Sequence, residues 1–131
     1  MPLVNVHVIR GRSEEQLRTL LDAIHDAQVE AFGVPDRDRY QLLTQHEPDE
    51  IVALDTGLGY ERTPQLVVIH IVSRRRTPEA KVELYELLAR NLDERLGISG
   101  NDLIVTITEN DDIDWSFGAG RAQFVTGELA T

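Results

Sequence analysis

The chain of 131 residues has room for one compact domain, and with 41% hydrophobic and 27% charged residues it has the composition of an ordinary globular protein, neither disordered nor membrane-spanning. A formal charge of −10 argues against nucleic acid as a partner, because binding to phosphates needs a basic face. The absence of cysteine removes thiol catalysis, disulfides and thiolate metal sites. No run of 18 apolar residues and no basic-then-apolar leader is found, so the expected setting is the cytoplasm, away from membranes.

The chain opens Met1-Pro2-Leu3. Methionine before a small residue is usually trimmed, which would leave Pro2 with a free secondary amine. Such an amine titrates near about 8 and can act as base, acid or iminium-forming nucleophile without a cofactor. Taken alone, Pro2 fits a frayed terminus better than a catalyst; the reading depends on what the rest of the chain builds around it.

Leu3 to Ile9 is β-branched and partly alternating, which predicts a strand, and Arg10-Gly11-Arg12 ends it. Ser13 stands three residues before Gln16, a capping-box spacing, and Leu17, Leu20, Leu21, Ile24, Ala27 and Ala31 recur at helical spacing up to Phe32. Gly33 supplies the stop. A second strand is predicted over Arg39 to Gln45. From His46 to Pro64, prolines, glycines and acids mark a connecting loop, with a short extended piece at Ile51 to Leu54.

The pattern then repeats. Leu66 to Val72 reads as a buried strand, Thr77-Pro78 caps and opens a helix, and Val82, Leu84, Tyr85, Leu88, Leu92 and Leu96 form its apolar stripe before Gly97. Leu103 to Thr108 is the fourth strand. The halves, 1–45 and 65–109, align at an offset of about 64 residues, as expected of an internal duplication. The fold class predicted is α+β: a two-layer sandwich of β-α-β units, with a mixed sheet and both helices on one face. The tail, 110–131, carries the only Trp and two of the three Phe, with Gly118 and Gly120 between them; it is expected to form a hairpin that packs on a neighbouring subunit.

Arg74-Arg75-Arg76 follows the third strand directly. In extended chain, residues two apart point the same way, about 6.6 Å apart, so Arg74 and Arg76 would converge on one anion while Arg75 points away. Two forked guanidiniums suit a carboxylate. A solvated basic turn that offsets the acidic balance is the plainer explanation. His7 and His70 occupy similar places in corresponding strands and are read as structural rather than as metal ligands. His25 falls off its helix's apolar stripe and is expected to be solvated. Glu14-Glu15 and Asp111-Asp112 read as helix-end and loop charges. Gly57-Leu58-Gly59 lacks the strand and helix of a dinucleotide site.

Pro2 and the duplicated β-α-β halves together resemble the tautomerase superfamily, and in particular its malonate semialdehyde decarboxylase family. The likeness runs through Asp38-Arg39-Tyr40-Gln41, Thr56-Gly57-Leu58-Gly59-Tyr60, Arg74-x-Arg76, Asp114-Trp115-Ser116-Phe117-Gly118 and Gly120-Arg121-Ala122-Gln123-Phe124. The resemblance implies a cofactor-independent homotrimer acting on a small carboxylic acid. It also implies Pro2, Asp38, Arg74 and Arg76 as the catalytic set, with Arg74 and Arg76 holding the carboxylate. Trp115, Phe117, Phe124 and Leu129 would form an apolar wall, and no metal would be required. The related cis-3-chloroacrylic acid dehalogenases carry a helix histidine and a tail glutamate. Here His25 is out of register and Trp115 stands near the acid's place, which ranks dehalogenation lower. Tautomerisation or hydration on the same scaffold, and a non-catalytic trimeric binding module, are the other classes open to the sequence.

Overall fold

A computed structural model describes residues 2–129. It contains β1 (Leu3–Ile9), α1 (Glu14–Phe32), β2 (Tyr40–His46), β3 (Val67–Arg74), α2 (Pro78–Leu96), β4 (Leu103–Asn110) and α3 (Gln123–Thr126), with short 3-10 turns at Pro48–Glu50, Gly100–Asp102 and Asp112–Asp114.

The helices begin and end where local chemistry dictates. Ser13 accepts the Gln16 amide while the Gln16 side chain accepts the Ser13 amide, a reciprocal box that satisfies two otherwise orphaned donors. Thr77 accepts the amide of Ala80, and Pro78 follows at a position that needs no donor. Gly33 at φ 65° and Gly97 at φ 68° end α1 and α2 in the left-handed conformation that glycine adopts at least cost.

The sheet order is β2-β1-β3-β4. β1 pairs parallel with β2, β3 parallel with β4, and β1 antiparallel with β3. Each β-α-β half therefore contributes one parallel pair, and the halves meet head to tail. Val4, Val6 and Val8 of β1 and Val67, Ile69 and Ile71 of β3 are buried together with Leu20, Ile24 and Ala27 of α1 and Leu84, Leu88 and Leu92 of α2. The alternate residues of β1, Leu3, Asn5, His7 and Ile9, are only partly buried. Both helices thus cover one face of a mixed sheet, the tautomerase-like α+β sandwich the sequence predicted. At about 25 cal/mol per Å² of apolar surface, this single stripe of branched residues is the main stabilising term of the fold.

Ile51 is extended (φ −122°, ψ 121°), and the stretch Ile51 to Leu54 pairs with no strand among the described residues, with Val52 and Leu54 86% and 80% exposed. Two expectations are corrected. The tail is not a hairpin, since its described part is a 3-10 turn, a glycine-bearing bend and α3. Gln123 accounts for that outcome: its Oε1 accepts the Phe117 amide and its Nε2 donates to Gly118 O, so a side chain makes the bonds a second strand would have made. His25 is buried, 2% exposed, and its Nε2 lies 3.1 Å from Asp36 Oδ1. Asp36, in the loop after α1, reaches back to His25 on the helix flank. Residues 130 and 131, the end of the predicted tail, lie outside the described residues, as does Met1. No helix among the described residues is long and apolar enough to cross a membrane.

Candidate active site

The antiparallel pairing of β1 and β3 brings the start of one to the end of the other. Leu3 lies beside Tyr40 of β2 and beside Val72 of β3. Pro2, one residue earlier, therefore stands at the sheet end where Asp38 leads into β2 and Arg74 closes β3. Pro2 and Asp38 are both buried, Asp38 with 7% exposure.

Arg74 and Arg76 are partly buried while Arg75 is exposed, as an extended chain requires. Arg74 Nη1 donates to Asp112 Oδ1 at 2.8 Å, and its guanidinium carbon sits 4.1 Å from the Phe124 ring centroid. Its Nε is buried and makes no hydrogen bond among the described residues. Arg76 Nε donates to Ser73 Oγ at 3.1 Å, and its guanidinium lies 4.7 Å from the Phe32 ring centroid at the end of α1. Burial pushes the Arg76 pKa down, the like charge of Arg74 pushes it further, and Asp38 opposes both. Arg76 thus feels the charges of both Arg74 and Asp38. Two cations held close together at the cost of desolvation and mutual repulsion make a strong local attraction for an anion in a chain that is otherwise acidic.

The apolar wall assembles around Phe117. Trp115 stacks on it at 5.4 Å, Phe124 meets it edge-on at 5.4 Å, and Tyr40 lies 5.6 Å away. Trp115 Nε1 donates to Asn110 Oδ1 at 2.8 Å, which fixes the indole at the end of β4. Asp38, Tyr40, Phe117 and Leu129 line a cavity of about 400 Å³, and Arg74, Arg75, Arg76, Asp112 and Val125 line a second, open groove that shares no lining residue with it. Pro2 lines neither cavity; it is buried just before β1.

Some residues at this end were missed in the sequence. Asp111 and Asp112, read there as loop charges, pair with Arg75 and Arg74. Glu109 accepts the Arg76 amide at 2.9 Å and pairs with Lys81 at 3.0 Å. The only sequence signal was the clustering of acids opposite the Arg run, which does not say which acid meets which arginine. Among the described residues no group of three or more His, Asp or Glu is arranged to hold a metal ion; His7 Nδ1 contacts His46 Nε2 at 2.9 Å and His70 meets Thr108.

Two family models, each described as a tautomerase enzyme, match residues 38–118 and 2–60. The chain belongs to the tautomerase family. A curated Bacillus subtilis (strain 168) relative, the probable tautomerase YrdN, is 49% identical over 129 residues, covering 98% of this chain and all of the relative. A crystal structure of malonate semialdehyde decarboxylase, solved to explain that enzyme's decarboxylase and hydratase activities, is 50% identical. It matches with a TM-score of 0.96 over 98% of this chain and 99% of the other. A fused 4-OT asymmetric trimer is 28% identical, with a TM-score of 0.75 over 95% of this chain and 98% of the other.

Proposed function

We propose that this tautomerase-family chain is a cofactor-independent decarboxylase that converts 3-oxopropanoate and a proton to acetaldehyde and carbon dioxide. The observation that carries the reading is the convergence of Arg74 and Arg76 beside an aromatic wall, at the sheet end where Pro2 begins the first strand. The 50% identity to malonate semialdehyde decarboxylase over nearly the whole chain supports it.

Loss of Met1 would give Pro2 its amine. Arg74 and Arg76 would bind the substrate carboxylate, with the buried Arg74 Nε as a ready donor. Holding the carboxylate out of the carbonyl plane aligns the breaking C–C bond with the π system. When that bond breaks, its electron pair passes to the aldehyde oxygen as an enolate, which a protonated Pro2 stabilises by donating a hydrogen bond; an iminium formed by neutral Pro2 would serve as an alternative electron sink. A proton then adds to the carbon that lost carbon dioxide. The wall of Trp115, Phe117, Phe124 and Leu129 favours this step, because an anionic carboxylate becomes a neutral gas and a dry surface suits the product better. Asp38, buried near Arg76, would orient Pro2 or activate a water. Three copies are the proposed assembly, as in the fused 4-OT trimer, with the partly buried sheet face turned toward neighbouring copies.

A proton-NMR time course of 3-oxopropanoate tests the reading, using protein shown by mass to lack Met1 beside Pro2→Ala. Acetaldehyde should form with the first and fall by about 10²- to 10⁴-fold with the second, the usual worth of a positioned acid or base. Absence of acetaldehyde from both would sink the reading. The curated relative's description favours a second one, enol–keto tautomerisation by a neutral Pro2 acting as base. A Pro2 amine that titrates well above 7 would speak against that alternative, and hydration of acetylenic or halogenated acids would be assayed on the same samples.

A further inference from the structure

The two halves of the chain superimpose their chemistry as well as their elements. At the duplication offset of about 64 residues, Arg74 and Arg76 correspond to Arg10 and Arg12, Asp38 to Asp102, and Pro2 to Leu66. Because β1 and β3 are antiparallel, this second quartet gathers at the opposite end of the sheet, where Val8 pairs with Val67.

The correspondence extends to the surroundings. Arg10 pairs with Glu47 just after β2, as Arg74 pairs with Asp112 just after β4. Burial pushes the Arg12 pKa down and Asp102 opposes it, in the way Asp38 opposes the fall at Arg76. Arg12 Nη2 donates to Gln65 O and Oε1, whereas its Nη1 is buried and makes no hydrogen bond among the described residues. A cavity of about 250 Å³ opens beside it, lined by Arg10, Gly11, Arg12, Gln16, Pro64 and Gln65. A desolvated guanidinium with an unused donor next to a second arginine is a site short of an anion.

One difference separates the ends. Leu66 lies within the chain, so its nitrogen is a peptide amide that can be neither a base nor an iminium-forming nucleophile. Asp102 is tied to the loop before β3: its Oδ1 accepts the Thr63 amide at 2.7 Å and its Oδ2 accepts the Thr63 hydroxyl at 2.5 Å.

We propose that the cavity bounded by Arg10, Arg12, Gln16 and Gln65 is a second carboxylate-binding site, the internal-repeat mate of the candidate active site, which binds short carboxylic acids without turning them over. The ligand class follows from two arginines lining one cavity, one of them with a buried unused donor, and holds whether or not the other end is a decarboxylase.

The test is a titration with malonate, a non-reacting short carboxylate, followed by two-dimensional amide NMR. Saturable shifts are expected in two groups: Gly11 and Gln65 at one end, Asp38 and Ser73 at the other. Arg12→Gln should weaken binding at the first group by about 10- to 100-fold, the loss of one charged hydrogen-bonding partner, and leave the second group unchanged. Arg76→Gln should do the reverse. Arg10→Gln, at an exposed position whose pairing with Glu47 is a surface ion pair of small worth, should weaken the first group alone and keeps the test decisive if Arg12→Gln fails to fold. Gly11 and Gln65 shifts that do not saturate, or that vanish with Arg76→Gln and persist with Arg12→Gln, would overturn the proposal and leave Arg12 as a staple between two loops. Acetaldehyde formation is measured separately on Arg12→Gln, so failure of the decarboxylase reading and failure of this one are told apart.

Discussion

The guanidinium carbon of Arg74 lies 4.1 Å from the centroid of the Phe124 ring, which is itself 6% exposed and held edge-on by Phe117. The four-residue helix α3 thus reaches back to set the position of an arginine at the end of β3. Replacing the ring by a branched aliphatic chain, Phe124→Leu, keeps the site covered but removes the cation–π attraction, worth about 0.5–2 kcal/mol. The expected result is a rise in KM for the carboxylate of about 2- to 30-fold with a smaller change in kcat. Steady-state kinetics on 3-oxopropanoate checks it; an unchanged KM would mean that Asp112 alone orients Arg74.

Stability at the opposite end of the sheet depends on Asp102. Its carboxylate ties the loop before β3 to the turn before β4 through the amide and hydroxyl of Thr63. Asp102→Ala leaves both donors without their partner and should cost about 2–3 kcal/mol, measured by urea unfolding at fixed protein concentration. Thr63→Val keeps the amide bond to Asp102 but removes a hydroxyl that donates to Asp102 and accepts the Gln65 amide at 3.1 Å, and should cost about 1–2 kcal/mol. A loss from Asp102→Ala no larger than that from Thr63→Val would show that the amide bond adds nothing beyond what the hydroxyl's two bonds contribute.

The strands, both helices and their caps were legible in the sequence because local signals agreed with one another: Ser13 with Gln16, Thr77 with Pro78, and glycines at both helix ends. Arg74 and Arg76 were legible as a pair because strand alternation is a short-range rule. The tail misled because its aromatic and glycine spacing suits a hairpin, while the structure is decided by one side chain, Gln123, which bonds to both Phe117 and Gly118. His25 misled for a related reason. Helical periodicity reports which face meets the sheet, and not that a residue beyond the helix end, Asp36, reaches back to His25 on a buried flank. The pairing of Asp112 with Arg74 and of Glu109 with the Arg76 amide depends on the β3–β4 register, which no local pattern encodes.

A cluster of imidazoles makes acid stability a further readout. The His7 pKa is pushed below its ordinary value, first by burial and then by the neighbouring His46 and His70. The folded state then binds this proton less readily than the unfolded chain. His7 therefore costs nothing above the ordinary value of about 6.5 and destabilises progressively as pH falls through its lowered value. The unfolding midpoint should decline between about pH 7 and pH 5, and His7→Gln should flatten that decline. Parallel pH curves for the two proteins would remove His7 as the cause.

Glu109 joins three elements: it lies on β4 opposite Ser73 of β3, accepts the amide of Arg76 at 2.9 Å and pairs with Lys81 of α2 at 3.0 Å. The Arg76 amide bond is the main reason its pKa is lowered, with the Lys81 hydrogen bond second. A depressed carboxylate contributes stability that is present above its ordinary value, about 4.5, and is lost as pH falls through the lowered one. Glu109→Gln keeps an acceptor for the amide and discards the charge facing Lys81. Glu109→Ala discards both, and lets the chain that carries Arg76 move. If Glu109 positions Arg76 and Arg76 holds the carboxylate as proposed, KM should rise about threefold or less for Gln and by about 10-fold or more for Ala, with kcat less affected, because only the placement of the proposed carboxylate-binding group has changed. Acid unfolding supplies the control: both variants should show a shallower dependence below about pH 4.5 than the wild type, since the share that Glu109 contributes is gone from each. Equal KM values for Gln and Ala would assign the effect to the Lys81 ion pair and leave the amide bond without a role in placing Arg76.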